Sequence, residues 1–181
     1  MSVLLQVQNL NVAIGEGEDA VVPVDGLDLE IRRGETYALL GESGCGKSMT
    51  ALAVMRLLPP GGRIVSGEVL LDGISLPDKS ESDMRAERGG RIGMIFQEPQ
   101  TSLNPVLTVG RQIAEAVELH DPEHTDKPME RVVELLRLVG IPDPVRRVEE
   151  YPHQLSGGMK QRVMIAMALA GRPDLLIADE P

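Results

Sequence analysis

This sequence contains the octapeptide Gly41-Glu42-Ser43-Gly44-Cys45-Gly46-Lys47-Ser48, which fits the pattern G-x-x-x-x-G-K-[ST] of a phosphate-binding loop. Residues 36–40 before it are predicted to form a short buried strand, and residues 49–58 after it an apolar helix that Pro59 stops. Because such a loop occurs between a strand and a helix, the stretch predicts an α/β fold organised around a nucleotide. The alternative is a glycine-rich turn with only a structural role.

The residue types of the octapeptide suit a triphosphate. Glycines let backbone N–H groups curve around an anion without interference from Cβ atoms, and the start of the following helix adds unpaired N–H groups and a positive dipole end. Lys47 then supplies a charge for the β- and γ-phosphates, and Ser48 a hydroxyl for Mg²⁺. The predicted nucleotide-binding residues of this stretch are Gly41, Glu42, Ser43, Gly44, Cys45, Gly46, Lys47, Ser48 and Met49.

The composition of the chain limits the domain number, the partners and the compartment that can be expected. The 181 residues, 42% of them apolar, suit one domain with a sizeable core. A net charge of -10 without a run of Lys and Arg argues against nucleic acid as a partner. Cys45 is the only cysteine, so no internal disulfide can form and a reducing compartment is expected. No apolar run reaches the roughly 18 residues of a spanning helix, so we expect the chain itself to be soluble.

Strands are predicted in the first half of the chain. Period-two alternation favours two strands of an antiparallel sheet, Val3-Leu5-Val7 and Leu10-Val12-Ile14. Residues 24–31 suggest another strand, and residues 63–76 a further apolar pair with the turn Asp72-Gly73. Residues 77–90 are polar and are predicted to form a loop.

The next part of the chain is predicted to be mainly helical. Residues 91–97 favour a strand whose end presents Gln97, and residues 107–148 show helical periodicity. Between the helices, residues 120–126 contain two histidines among carboxylates. A metal site is one interpretation of this segment, but a solvated loop is favoured, because ligands without a fixed scaffold bind weakly.

A second helix N-terminus that could bind a phosphate is predicted at residues 155–162, Leu-Ser-Gly-Gly-Met-Lys-Gln-Arg. Ser156 can cap a following helix predicted at residues 163–170, and Gly157 and Gly158 leave its N–H groups open to an anion. A purely structural cap is the alternative.

Residues 175–180 are predicted to form the last strand, which ends in two carboxylates, Asp179 and Glu180. The carboxyl ends of strands in α/β sheets face the ligand crevice. Asp179 is therefore predicted to hold Mg²⁺, and Glu180 to orient and deprotonate an attacking water. Because successive strand side chains point to opposite faces, both acids can serve one site only if the strand ends at Asp179.

These motifs resemble, in the right order and over essentially the whole chain, those of an ABC ATPase nucleotide-binding domain. The octapeptide resembles the Walker A motif, Gln97 the Q-loop, residues 155–162 the LSGGQ-type signature and residues 175–180 the Walker B motif. Three further segments narrow the resemblance to ATP-binding subunits of bacterial dipeptide, oligopeptide, glutathione and nickel importers: residues 69–73, 96–105 and 151–154.

The resemblance implies a P-loop NTPase core with an N-terminal antiparallel β subdomain, formed by residues 1–100 and 155–181, and an inserted helical subdomain, residues 101–154. It implies ATP and Mg²⁺ as ligands. The implied metal-binding residues are Ser48, Gln97 and Asp179, and the implied catalytic residues are Lys47, Gln97 and Glu180.

The resemblance also implies partners. In a head-to-tail dimer with an identical or different ABC ATPase subunit, Ser156 and Gly158, with Gly157 between them, would contact the γ-phosphate bound to the other subunit. The helical subdomain and the Gln97 loop would engage permease subunits in the inner membrane, which receive solute from an external binding protein. The chain would then lie on the cytoplasmic face of that membrane.

Three departures from the family pattern qualify these expectations. Ile14 stands where an aromatic residue usually stacks on adenine, and Met159 replaces the commoner Gln of the signature. The sequence stops at Pro181, before the D-loop and the switch histidine, so we expect an incomplete domain with weak or no hydrolysis alone. A soluble ABC-type ATPase and a non-catalytic nucleotide-binding module remain alternatives.

Overall fold

The computed structural model describes residues 2–17, 20–96 and 102–180. The chain forms two compact units, the first up to Arg85 and the second from Ala86 onward. Gln97 lies outside the described residues. The boundaries inferred above for an ATPase core and a helical subdomain stay predictions.

The first unit is built on a four-stranded antiparallel sheet in the order β2-β1-β3-β4. Its strands are β1 (Val3–Ile14), β2 (Val21–Arg32), β3 (Gly62–Leu71) and β4 (Ile74–Ser75). The predicted turn Asp72-Gly73 joins β3 to β4, and its two residues have φ of 49° and 77°, as a two-residue type I′ turn requires. The prediction of an N-terminal antiparallel sheet is confirmed.

β1 is one continuous strand, although the alternation predicted two. Val7 and Leu10 are both fully buried, whereas a regular strand would point them to opposite faces. Between them Asn9 has φ of 45°, and its N–H donates to Asp28 Oδ1 at 2.8 Å. This bulge inserts a residue and reverses the alternation, which explains why the sequence pattern restarted there.

Two further predictions for the first unit are wrong. Among the described residues, 36–40 belong to no strand, and Leu40 is 88% exposed; an extended segment persists as a strand only where a neighbour takes up its backbone hydrogen bonds. The helix after the octapeptide, α1 (Lys47–Val54), is shorter than predicted. It ends because Arg56 has φ of 50° and Leu57 N donates to Leu52 O at 2.8 Å, a Schellman-type ending.

Residues 77–90 are not entirely loop, because α2 occupies Glu81–Gly90. Ser80 starts this helix: its Oγ accepts from Asp83 N at 3.1 Å and donates to Asp83 Oδ2 at 2.7 Å. Met84 is fully buried and anchors it. The helical backbone is interrupted at Arg88 and Gly89. A cap and one apolar anchor therefore outweigh the polar composition that predicted a loop.

The second unit contains two parallel strands with helices between them along the chain. β5 (Ile92–Ile95) pairs with β6 (Leu175–Ala178). The elements described between them are α3 (Val109–His120), α4 (Pro128–Leu138), α5 (Pro144–Arg147), a short 3-10 helix (Pro152–Gln154) and α6 (Gly157–Ala168). The predicted strands and the helical segment are confirmed, although α6 begins at Gly157 instead of residue 163.

Helices α3, α4 and α6 pack on one another around a single apolar core. Its fully buried members include Ile113 of α3, Leu135 of α4 and Val163 of α6. The end of α6 also lies directly on β5, because a Cβ at Gly93 would come within 2.4 Å of Ala168 O. In the described part of the chain no helix is long and apolar enough to cross a membrane.

Candidate nucleotide-binding site

The predicted phosphate-binding loop lies directly before α1. Its backbone turns back at Glu42, whose carbonyl oxygen accepts from Cys45 N at 3.3 Å. Gly44 and Gly46 have φ of 83° and 94°, which L side chains rarely adopt. At Gly46 a Cβ would also lie 2.1 Å from the carbonyl oxygen of Pro23. Glycine is therefore required at this position to bring the loop against β2.

Lys47, the first residue of α1, places its ammonium group across the loop. Nζ donates to the carbonyl oxygens of Gly41 and Glu42, at 2.8 Å each. Neutral carbonyls orient the ammonium without cancelling its charge, so that charge can act on an anion. Gly46, the N-cap of α1, has no side chain that could bond to the first N–H groups of the helix. The positive end of the helix dipole therefore adds to the lysine charge.

A cavity of about 190 Å³ opens beside the loop within the first unit. Apolar residues from β2 and from the segment before the loop form much of its lining: Pro23, Val24, Leu27, Leu39 and Leu40. Gly46, Lys47 and Thr50 line it as well, and Thr50 is fixed because its N and Oγ1 donate to Gly46 O at 2.9 and 3.0 Å. Lys47 thus borders a cavity with a largely apolar wall, which Asp25 also lines with a carboxylate.

Ser156 is the N-cap of α6, as predicted. Its Oγ accepts from Met159 N at 3.3 Å, so the hydroxyl hydrogen is left to donate elsewhere. A Cβ at Gly157 or at Gly158 would meet no described atom within 4 Å. The first turn of α6 is thus open on the side of these glycines, as an anion contact from a partner would require.

Asp179 and Glu180 follow β6, which ends at Ala178. Asp179 N donates to Ile95 O at 3.0 Å, so this residue is still held to the parallel pair. Glu180 has φ of 48°, which breaks the alternation of side chains along a strand. The strand was expected to end at Asp179 and ends one residue earlier, so the side-chain alternation of β6 does not extend to the two acids. The roles of these acids and of Gln97 stay predictions.

A charged cluster lies between α3 and α4, where a solvated loop was favoured. Asp121 is only 2% exposed, and its Oδ2 lies 3.0 Å from His124 Nδ1, 3.5 Å from Arg131 Nε and 3.6 Å from Arg172 Nε. Glu123 pairs with Arg172 as well. Potential metal-ligating atoms of Asp121, Glu123 and His124 lie within 4.8 Å of one another. Because two guanidinium groups already oppose the carboxylates, the cluster is an ion-pair network and the metal interpretation is not favoured.

The other histidine of this segment, His120, serves packing. A Cβ at Gly89 would lie 2.6 Å from the His120 ring, and a Cβ at Gly171 would lie 2.9 Å from His120 Cβ. Burial lowers the pKa of His120, so its ring is neutral at neutral pH. The ring therefore fills the space beside the two glycines without bringing a charge into it.

Asp121→Asn is expected to destabilise the protein by on the order of 3 kcal/mol, because it leaves two guanidinium groups without their buried counter-charge. The free energy of unfolding in urea measures the loss. Glu123→Gln is the matched control: its side chain is 68% exposed, and the change is expected to stay below about 1 kcal/mol. Equal losses in the two variants would contradict a special role for the buried carboxylate.

Alkylation of Cys45 is expected to weaken ATP binding at least about tenfold, because an adduct would crowd the mouth of the loop. Cys45 is exposed, and its Sγ lies 3.7 Å from Lys47 Nζ. Nucleotide affinity is measured before and after complete modification with iodoacetamide. Cys45→Ser, which has no reactive thiol, should bind ATP in the presence of the reagent. Unchanged affinity of the fully modified protein would refute the prediction.

Sequence reasoning did not identify Gln112, a polar residue in the buried face of α3. It is 6% exposed, and its side chain bonds to the backbone of residues 104–108. Helical periodicity offered a signal, because Gln112 lies three residues after the buried Val109 and beside the buried Ile113. A polar residue at such a position needs a hydrogen-bonding partner.

Residues 24–181 of this chain match the protein family described as "ABC transporter". A probable peptide ABC transporter ATP-binding protein of Sinorhizobium fredii is 52% identical over 179 residues, which are 98% of this chain and 53% of that protein. The dipeptide transport ATP-binding protein DppD of Bacillus subtilis is 48% identical over 182 residues, 100% of this chain and 54% of the relative. The chain thus spans about half the length of each of these two relatives.

A solved structure adds a likeness in three dimensions. It is a dimeric ATP-binding cassette in a post-hydrolysis state, bound to ADP and Pi. The two chains superpose with a TM-score of 0.83 at 28% identity, over 97% of this chain and 73% of the other. This similarity agrees with the α/β fold class predicted from the motifs.

Proposed function

Because this chain belongs to the ABC transporter family, we propose that it is the ATP-binding and ATP-hydrolysing part of a motor subunit that drives an importer of peptides or a related small solute. The observation that carries the proposal is the phosphate loop, in which Gly46 is the N-cap of α1 and Lys47 bonds to neutral carbonyls that leave its charge uncancelled. The importer class and the solute class are supported by relatives named for peptide and dipeptide transport.

ATP binding begins at the loop of residues 41–49. Lys47 would exchange its contacts with the carbonyls of Gly41 and Glu42 for oxygens of the β- and γ-phosphates, which carry full charge and bind an ammonium more strongly. The N-terminus of α1 would hold the β-phosphate. The cavity beside Lys47 would receive another part of the nucleotide. Support for the ligand comes from the similar cassette that holds ADP and Pi.

Mg²⁺ fits the chemistry of the donors that the chain offers. Ser48 supplies a hydroxyl oxygen, Asp179 a carboxylate and Gln97 an amide oxygen, and hard oxygen donors are those that Mg²⁺ prefers. When bound, the ion would neutralise charge on the phosphates. Part of this proposal is that the phosphate loop and the acidic end of β6 serve the same nucleotide.

Hydrolysis would depend on Glu180, which would accept a proton from the attacking water, while Gln97 would sense the ion and the water. A second ABC ATPase subunit would complete the site head to tail, with Ser156, Gly157 and Gly158 at the γ-phosphate of the partner. Closure by ATP and reopening after hydrolysis would move permease subunits at the cytoplasmic face of the inner membrane, which obtain solute from an external binding protein.

Turnover of Mg-ATP by the full-length protein, alone and with its permease in proteoliposomes, tests this function. We expect phosphate release that rises when the permease and a peptide-loaded binding protein are present. Nucleotide binding without turnover in both preparations would instead favour a non-catalytic nucleotide-binding module. Turnover that no membrane partner changes would favour a soluble ABC-type ATPase.

A further inference from the structure

Asp25 of β2 lines the cavity that Lys47 also borders. The Asp25 side chain is exposed, and among the described residues it forms no hydrogen bond or ion pair. Its carboxylate is therefore able to accept hydrogen bonds from a ligand. One cavity thus has a cationic group and an anionic group at its border, and these two groups must face different parts of a ligand.

The backbone of β2 holds Asp25 in place from both sides. Val24, before it, pairs with Val12 of β1. Gly26, after it, donates its N–H to Asn11 Oδ1 at 2.9 Å. Only the short side chain of Asp25 therefore has to be ordered when a ligand binds, so a contact at this carboxylate loses little conformational entropy.

The two charges determine which part of a nucleotide can face Asp25. A carboxylate repels phosphate oxygens, whereas the ammonium group of Lys47 attracts them. The cavity of about 190 Å³ is smaller than the roughly 300 Å³ of pockets that enclose a whole drug-sized ligand. It therefore suits the part of the nucleotide that follows the phosphates, the ribose. The ribose offers hydroxyl donors, and an acidic residue accepts from the 2′-hydroxyl in dinucleotide-binding sites of another α/β fold.

We infer that Asp25 is a specificity-determining residue, which accepts a hydrogen bond from the ribose 2′-hydroxyl of ATP. The site would then prefer ribonucleotides to 2′-deoxyribonucleotides. The inference rests on the proposed function and specifies the substrate of that same site. Loss of one hydrogen bond to a charged acceptor weakens binding by on the order of tenfold.

Binding of ATP and of 2′-deoxy-ATP to the full-length protein, measured by isothermal calorimetry, tests the inference. The wild type is expected to bind ATP about tenfold more tightly than 2′-deoxy-ATP. Asp25→Ala should bind the two nucleotides equally, and Asp25→Asn, which keeps one acceptor oxygen, should retain part of the preference. A merely structural effect of the substitution would change both affinities and leave their ratio as it is in the wild type.

Glu30→Ala is the matched control and should keep the wild-type ratio. Glu30 is another acidic residue of β2, but it forms an exposed ion pair with Arg32 and does not line the cavity. The control therefore separates the loss of a negative charge on this strand from the loss of the carboxylate in the cavity.

Three outcomes would overturn the inference. The first is equal wild-type affinity for ATP and 2′-deoxy-ATP, and the second is an unchanged ratio in Asp25→Ala. The third is a wild-type preference for ATP over inosine triphosphate that Asp25→Ala abolishes, which would assign the carboxylate to the adenine amino group. Absence of ATP binding in the wild type would instead overturn the proposed function, on which the inference depends.

Discussion

Lys47→Ala is expected to weaken ATP binding at least a hundredfold in isothermal calorimetry. Hydrogen bonds to charged groups contribute about 1.5 kcal/mol or more each, and the ammonium would bind two phosphates, so about 3 kcal/mol is lost. The structure shows that this group is already at the loop, 2.8 Å from the carbonyl oxygens of Gly41 and Glu42. The substitution thus removes a charge that is positioned before the ligand arrives.

The control for this loss is Lys127→Ala, because the Lys127 side chain is 70% exposed and forms an exposed ion pair with Glu130 at the start of its own helix. Its ATP affinity should equal that of the wild type. Since Lys47→Ala also removes two hydrogen bonds within the loop, its thermal unfolding must be compared with that of the wild type. Wild-type affinity in a folded Lys47→Ala protein would show that the octapeptide is not the nucleotide site.

Glu180→Gln is expected to reduce phosphate release by about 10²- to 10⁴-fold, the usual contribution of a general base. Glutamine has the same shape but cannot accept the proton, so nucleotide affinity should be retained and the ATP-bound dimer should accumulate. Single-turnover phosphate release and size-exclusion chromatography of the full-length protein measure these two results.

Glu118→Gln is a suitable control, since Glu118 forms a partly exposed ion pair with Arg111 on α3. Its turnover should match that of the wild type. Phosphate release by Glu180→Gln at a near-normal rate would rule out Glu180 as the base. Loss of ATP binding in Glu180→Gln would instead assign the carboxylate to binding.

The phosphate loop could be predicted from sequence because its geometry depends on residues that are adjacent along the chain. Gly44 and Gly46 have backbone angles that few other residues accept, and Lys47 bonds to carbonyls of the same octapeptide. The N-cap at Ser156 is local in the same sense. Interactions between residues that are close together along the chain can be recognised from a single sequence.

Features that depend on distant residues were predicted less well. Residues 36–40 have the composition of a buried strand, but composition does not supply the neighbouring strand that would complete their hydrogen bonds. Asp121 looked like part of a solvated loop because its partners, Arg131 and Arg172, come from later elements. In β1 the structure differs from the predicted pair of strands because of one residue with left-handed backbone angles, Asn9. This residue interrupts the alternation of side chains but not the strand.

The missing side chain at Gly93 has a mechanical consequence. Main-chain atoms of β5 and of the end of α6 are in direct contact, so no side chain lies between them that could change rotamer when one element moves. β5 is in turn bonded to β6 and to Asp179 N. A displacement at Ser156, at the opposite end of α6, would therefore pass along the helix to β5 and from there to β6, which Asp179 and Glu180 follow.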